Sequence, residues 1–438
     1  MHRRRFATAR RDVPGPATHA ITESRMNSAK SNPVPNGAPP HAPILLSRAE
    51  MALAYVAASY GFGLSFMVAF LMPLRVHELG APIEMIGLIV GAAAAVPALF
   101  AVPAGELSDR LGARTTYVIS ATISGIALLL AATTSSYWIL FAIQLVNGFA
   151  RATAWLAVQA YLTSVGRPED RAKIAGRMSF STNAGIIAGP LIAGTASELF
   201  GFRYAFIVVG VLSLLYSLIG MRLPEVRVPR TTEKRGKSGG FGLALKLLRL
   251  KGIQVVMLLT FARLWSSTFW SAFYPLLLVA KNFTPTQAGA ALSVYAVVST
   301  VTTLWADWFS KRMGNAGASA FSLAVGALGV GLSPILLDYP LLFLPAIFLG
   351  FAQGLSLPLL VATVSEEAPP DQRGIAFGLR MSVNQAAGAV SPAIAGMIAA
   401  SFGLGPSFFF IAVLTWMFLL AGMWLYRVGR RDPAKLTF

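Results

Sequence analysis

Arg151 and Arg263 each stand near the middle of a long apolar stretch, 136–164 and 252–280. A guanidinium stays charged at any working pH and presents five donors in a planar fork, which matches a carboxylate, phosphate or sulfate group. At the centre of a bilayer an Arg costs about 2.5–3.5 kcal/mol on insertion scales, so it must face a cavity or a partner. Helical spacing puts Gln144, Asn147, Arg151 and Trp155 on one face and Arg263, Ser267, Trp270 and Tyr274 on another. These eight residues and Gln353 are the candidate substrate-binding set, and its chemistry is capture of an anion. The competing structural use is that each Arg bonds backbone carbonyls, or that Arg151 stacks on Trp155.

The acids fall elsewhere. Glu78, Glu84 and Glu198 lie at one set of helix ends; Asp109, Asp307, Glu366 and Glu367 lie at the other. No Asp, Glu or His stands near the middle of an apolar stretch. An exporter of cations would want a buried carboxylate there to bind the cation and release a proton. Proton coupling, if used, has to run through Glu198 or Asp109 or through protons carried by the substrate. No nucleotide loop, metal cluster or nucleophile–base pair stands out, so the chain reads as no enzyme, with no catalytic residue, cofactor or metal. With Cys 0, disulfides and thiolate chemistry are excluded.

The elements that position the two arginines are membrane helices. Hydrophobic residues make up 55%, charged residues 12%, and mean hydropathy is +0.64. Stretches long enough to cross a core of ~30 Å fall near 50–75, 83–104, 114–134, 136–164, 175–199 and 202–222. The second six lie near 252–280, 285–308, 315–336, 339–365, 374–400 and 405–427. Of the 36 Lys and Arg, Arg75, Arg203 and Lys281 fall in loops on one side and Arg151 and Arg263 within helices. The rest gather on the opposite side, the cytoplasmic one, which also holds both termini. The net charge of +18 is therefore a topology signal with attraction to anionic membrane lipid, and no nucleic-acid partner is needed to explain it. Residues 1–49 read as a disordered cytoplasmic tail, with Met26 as an alternative start that would leave 1–25 untranslated. Residues 223–251 read as a linker with a short amphipathic helix on the membrane face, and 428–438 as a basic tail. The first bundle spans 50–222 and the second 252–427.

The chain repeats itself at an offset of 202. Pro73-Leu74 recurs as Pro275-Leu276, Gly87 as Gly289, and Ser108, Arg110 and Gly112 as Ser310, Arg312 and Gly314. Pro190, Ala193-Gly194 and Phe200-Gly201 recur as Pro392, Ala395-Gly396 and Phe402-Gly403. Arg177-Met178-Ser179 returns as Arg380-Met381-Ser382, one residue further on. A unit this long in an apolar chain implies an all-α integral membrane fold of 12 transmembrane helices in two pseudo-symmetric six-helix bundles, the parallel duplication of secondary transporters. The repeat partners of Arg151 and Arg263 are neutral: Gln353 and Gly61.

Between the second and third stretches stands Gly105-Glu106-Leu107-Ser108-Asp109-Arg110-Leu111-Gly112-Ala113-Arg114. It resembles the signature loop of the major facilitator superfamily, Gly-x-Leu-x-Asp-Arg-x-Gly-Arg-Lys, departing at Ala113. The second copy carries Lys311 where the first has Asp109, so the family's cytoplasmic latch is expected on one side only. The resemblance implies gating roles for Gly105, Asp109, Arg110, Gly112 and Arg114, with Asp109 near the start of the eleventh span around Gly374–Arg380. The fifth span carries Gly176, Gly185, Gly189-Pro190 and Ala193-Gly194, similar to the motif of the antiporter branches with Ala193 replacing one Gly. Gly185, Gly189 and Pro190 are accordingly gating candidates. The family's Arg-x-x-Gln-Gly appears altered as Gln144-Leu145-Val146-Asn147-Gly148, its Arg displaced to Arg151, so its proton-transfer role does not carry over. In the fold implied, the first, fourth, seventh and tenth spans line a central cavity, and Arg151 and Arg263 reach it from opposite halves.

The resulting expectation is a secondary transporter of the bacterial inner membrane, working by alternating access, that exports or exchanges a small organic anion or amphiphile. Protons or a counter-ion are the expected coupling partners. The alternatives are a proton-coupled multidrug exporter of neutral or hydrophobic compounds and a receptor-like protein on the same fold.

Overall fold

A computed structural model describes residues 46–225, 239–370 and 372–431, with side chains throughout except at 61–62, 101–109, 168, 239–241 and 429–431. The tail at 1–45, most of the linker and the end of the chain lie outside these residues. Six long helices fill the first part: α1 (Arg48–Glu78), α2 (Ile83–Leu111), α3 (Ala113–Thr133), α4 (Tyr137–Ser164), α5 (Arg171–Phe200) and α6 (Phe202–Met221). A short helix, α7 (Gly239–Leu247), rests against the eleventh long helix and leads into α8 (Lys251–Ala280). The rest are α9 (Pro285–Thr302), α10 (Ala306–Met313), α11 (Asn315–Leu332), α12 (Phe343–Glu367), α13 (Arg373–Phe402) and α14 (Leu404–Arg431). Counting α9 with its extension α10, twelve long helices and no strand are present among the described residues.

Ten of the twelve are long and apolar enough by composition to cross a membrane; α5 and α8 fall short. The shortfall is informative. Helix α5 opens on Arg171, Lys173 and Arg177 and is rich in Gly, Ser and Thr, and α8 carries Arg263 with several Ser and Thr. Helices that line a polar interior need not be as greasy as helices facing lipid.

Local chemistry sets the helix ends. Ser47 and Glu50 form a reciprocal capping box at the start of α1, and Thr284 and Gln287 form another before α9, where Pro285 supplies a preset first turn. Six of the seven positive-φ positions among the described residues fall in repeat pairs, Gly80 with Asn282, Gly112 with Gly314, and Gly201 with Gly403, while Gly166 has no such partner. At Asn282 (φ 65°) the second half uses the side chain that best tolerates this conformation after Gly. Even the helix breaks coincide. Helix α2 kinks at Phe100, where the backbone leaves helical geometry three residues before a Pro in the sequence. Its counterpart α9 ends at Thr302 without a Pro. There Thr302 Oγ1 donates to Val298 O at 2.8 Å and Thr303 Oγ1 to Ser299 O at 2.9 Å and Gly354 O at 3.0 Å, drawing on carbonyls the helix would otherwise use.

Within the first half α1 packs on α5 and α6, α3 on α4 and α6, and α2 on α4; within the second, α8 packs on α12, α13 and α14, α9 on α12, and α11 on α12 and α14. Among the described residues the halves are joined most extensively by α2 with α13 and α5 with α9, and less so by α1 with α8. A Cβ on Gly87 would run into Pro392 O and one on Gly289 into Pro190 O, so each glycine lets its helix reach the backbone of the other half. Each pair is the repeat image of the other. Gly396 abuts Glu84 in the first contact, and Gly194 abuts Thr286 in the second, again at matching positions.

These approaches cluster at the end of the bundle that the charge pattern assigns to the outside. There Glu198 Oε2 also accepts from the backbone N–H of Thr286 at 3.1 Å, and Ser293 Oγ donates to Ile187 O at 2.7 Å. At the opposite end Gly176 of α5 and Gly374 and Gly378 of α13 face open space, and Phe180 is 76% exposed. The halves are shut at one end and parted at the other.

Candidate functional site

Arg151 and Arg263 are both enclosed by protein, and each keeps some accessible surface. Arg151 Nη1 donates to Ser65 Oγ of α1 at 3.0 Å, and its charge bears on the Tyr60 ring of the same helix. Arg263 Nε donates to Ser356 Oγ of α12 at 3.1 Å, with Tyr295 of α9 close by. Gln353 Nε2 donates to the backbone O of Arg263 at 3.1 Å, so the repeat partner of Arg151 positions the helix that carries Arg263. The Ser hydroxyls and Tyr rings steer the guanidiniums without neutralising them. Among the described residues, no ion pair engages either Arg.

The other sequence candidates divide. Trp155 lies on α4 one turn beyond Arg151, partly buried, and packs on the hydrophobic core of the first half. Gln144 is buried and its Oε1 has no hydrogen-bond partner, an omission that costs about 1–3 kcal/mol unless water or a ligand supplies a donor. Ser267 is buried one turn beyond Arg263. Asn147, Trp270 and Tyr274 depart from the expected cavity face. Asn147 Oδ1 accepts from Ser124 Oγ of α3 at 2.6 Å, inside the first half. Trp270 Nε1 donates to Ser333 Oγ at 3.0 Å and Tyr274 OH to Leu342 O at 2.6 Å, with the two rings stacked 4.7 Å apart. Their polar atoms are used within the second half, because the face that is open at Arg263 is covered by other helices two turns further out.

Sequence reasoning missed Arg380. Its place near the start of α13 made it one more cytoplasmic positive charge, whereas it is only 4% exposed, and its Nε has no hydrogen-bond partner. Ala376 and Val383, on either side of it, pack in one cluster with Leu259 and Ala262 of α8, which brings Arg380 to Arg263, close enough for the two charges to repel. The signal was available in the repeat. Its counterpart Arg177 is exposed, and the one-residue slip to position 380 turns the side chain by about 100° around the helix. Tyr60, Tyr295, Ser65 and Ser356 were also missed, since Tyr and Ser are too common in membrane helices to stand out.

The gating candidates separate by half. Gly105 and Asp109 have side-chain positions outside the described residues, and Arg110 is exposed. Gly112 (φ 86°) and Arg114 belong to a local tie: Arg114 donates to Met221 O and pairs with Glu225 at 3.6 Å, fastening the start of α3 to the end of α6. Gly185 and Gly189 let α5 approach the backbone of α1 at Ser59 and Gly63, while Pro190 turns its carbonyl to Gly289 across the closed end. Lys311, in the position of Asp109, bonds Asp307 one turn away at 2.6 Å on the surface. A separate cavity of about 650 Å³ opens between α4 and α5, lined by Leu156, Gln159, Thr163, Arg171, Ile174 and Met178 among others; none of the expected site residues lines it.

The Major Facilitator Superfamily profile matches residues 51–277 and 256–438. The tetracycline resistance protein, class B, of Escherichia coli is 24% identical over 325 residues, covering 71% of this chain and 78% of that protein. The quinolone resistance protein NorA of Staphylococcus aureus is 23% identical over 380 residues, 86% of this chain and 94% of its own. In three dimensions the chain is similar to the nucleoside transporter NupG, with a TM-score of 0.75 at 18% identity over 86% of this chain and 99% of that one, a likeness of fold alone.

Proposed function

Since the chain belongs to the Major Facilitator Superfamily, a family of transporters, we propose that it exports or exchanges a small organic anion or anionic amphiphile by alternating access. The observation that carries this reading is the pair Arg151 and Arg263: enclosed, reached from opposite halves, and balanced by no ion-paired acid among the described residues. An anion held between them meets both guanidiniums at once when the halves close. Its affinity then differs between the open and closed states, which is what a ligand needs in order to shift a conformational equilibrium. The parted end of the bundle is the one rich in Lys and Arg, so a ligand would reach the pair from the cytoplasm in this state, the loading state of an exporter. The bilayer crossed would be a bacterial inner membrane, with both termini inside.

A second reading is favoured by the relatives, whose names mark them as tetracycline and quinolone resistance proteins: a proton-coupled exporter of varied neutral or hydrophobic drugs. The two readings part on charge. Thermal stabilisation of the purified protein by benzenesulfonate, benzyltrimethylammonium and benzyl alcohol at equal concentration separates them. The anion reading expects the sulfonate to stabilise most and Arg151→Gln and Arg263→Gln each to abolish that preference; equal stabilisation by all three favours the drug exporter.

A further inference from the structure

Arg380 is only 4% exposed, and its Nε is unpartnered. Along the helix axes Arg263 stands about 18 Å from Lys251 and Arg380 about 11 Å from Arg373, at 1.5 Å per residue. Arg380 therefore lies between the parted end of the bundle and Arg263. Among the described residues, the charged or titratable groups bearing on Arg263 are Tyr295 of α9 and Arg380 of α13, two cations and a phenol with no carboxylate. Two guanidiniums at close range repel, and in a low-dielectric setting that repulsion persists until a counter-charge bridges them. A singly charged group balances one of them. A compact group with two negative charges balances both, and its three oxygens suit two planar forks and the Tyr295 hydroxyl. The first half has nothing of the kind: the counterpart Arg177 is exposed.

We propose that Arg263 and Arg380 form an oxyanion clamp in the second half that selects ligands bearing a doubly charged group of the phosphate-monoester kind, with Arg151 completing the site from the first half on closure. This rests on the anion reading of the central site. Phenyl phosphate and benzenesulfonate are suitable probes. The phosphate passes from one negative charge to two near pH ~6, the sulfonate stays singly charged, and neither Arg nor Tyr titrates between pH ~5 and ~8. In the full-length protein in nanodiscs, phenyl phosphate should bind roughly tenfold or more tightly at pH 8 than at pH 5, while benzenesulfonate binding stays flat. Arg380→Gln should erase the rise for phenyl phosphate and weaken benzenesulfonate distinctly less than phenyl phosphate at pH 8, and Arg380→Lys, which keeps the charge but not the fork, should retain part of the rise. A pH-independent phenyl phosphate affinity in the wild type overturns the clamp, as does an Arg380→Gln variant that loses both probes equally. Failure of either probe to bind at any pH overturns the anion reading along with it. If Arg380→Gln does not fold, the wild-type pH series and Arg380→Lys decide.

Discussion

The two halves of the molecule agree where they touch each other and differ where they face the cavity. Gly87 on Pro392 and Gly289 on Pro190 are one contact made twice, and all positive-φ turns but Gly166, with the helix breaks, fall at matching places. The buried arginines do not match: the repeat partner of Arg151 is Gln353 and that of Arg263 is Gly61, while Arg380 is buried where its counterpart Arg177 is exposed. Symmetry governs these contacts because both lie at one end of the bundle, where matching helices of the two halves meet. If the charge that recognises a ligand is free of that constraint, departures from the repeat mark the site.

If the closures are equivalent, Gly87→Val and Gly289→Val should have the largest effects and equal ones. Each places a side chain against backbone that cannot retreat, at about 1–3 kcal/mol of overpacking, enough to shift the closing equilibrium by about 5- to 150-fold. Transport should fall accordingly, and single-Cys reporters on the outer face, simple to build in a chain with Cys 0, should become persistently reactive. A silent member of the pair would break the symmetry. Next in size come Arg151→Gln and Arg263→Gln. Loss of a charged hydrogen-bonding partner, about 1.5–3 kcal/mol, should weaken anion binding about 10- to 100-fold without altering reporter reactivity in the absence of ligand, and Arg→Lys should cost less at either position.

The two sides should differ in their latches. Asp109→Asn is expected to shift the population toward the state parted at the cytoplasmic end, read as reporter reactivity there. Lys311→Gln, which removes only a surface pair with Asp307 worth at most about 1 kcal/mol, should change it by less than about threefold. Glu198→Gln should give the smallest measurable shift. It leaves an acceptor for the Thr286 N–H but removes the negative charge from the α9 N-terminus, so the outer closure loosens slightly.

The twelve helices, their pairing and the two mid-helix arginines were legible in the sequence because apolar length, the 202 offset and isolated charge are each visible in one dimension. Trp270 and Tyr274 share a helical face with Arg263, but a shared face does not fix depth. Ser333 and Leu342 cover that face near the closed end. Arg380 was hidden for the opposite reason. A basic residue two turns into a helix from the cytoplasmic side looks like any positive-inside charge, and only the docking of α13 on α8 buries it.

An anion-selective centre is tested most directly by equilibrium binding of benzenesulfonate and benzyltrimethylammonium to the wild type, Arg151→Gln and Arg263→Gln, with folding checked by gel filtration. The sulfonate should bind the wild type in preference to the ammonium, and each variant should lose the sulfonate about tenfold or more while remaining monodisperse. Sulfonate binding unchanged in both variants, or a wild type that prefers the ammonium, would contradict it and leave the arginines as structural elements of a drug exporter.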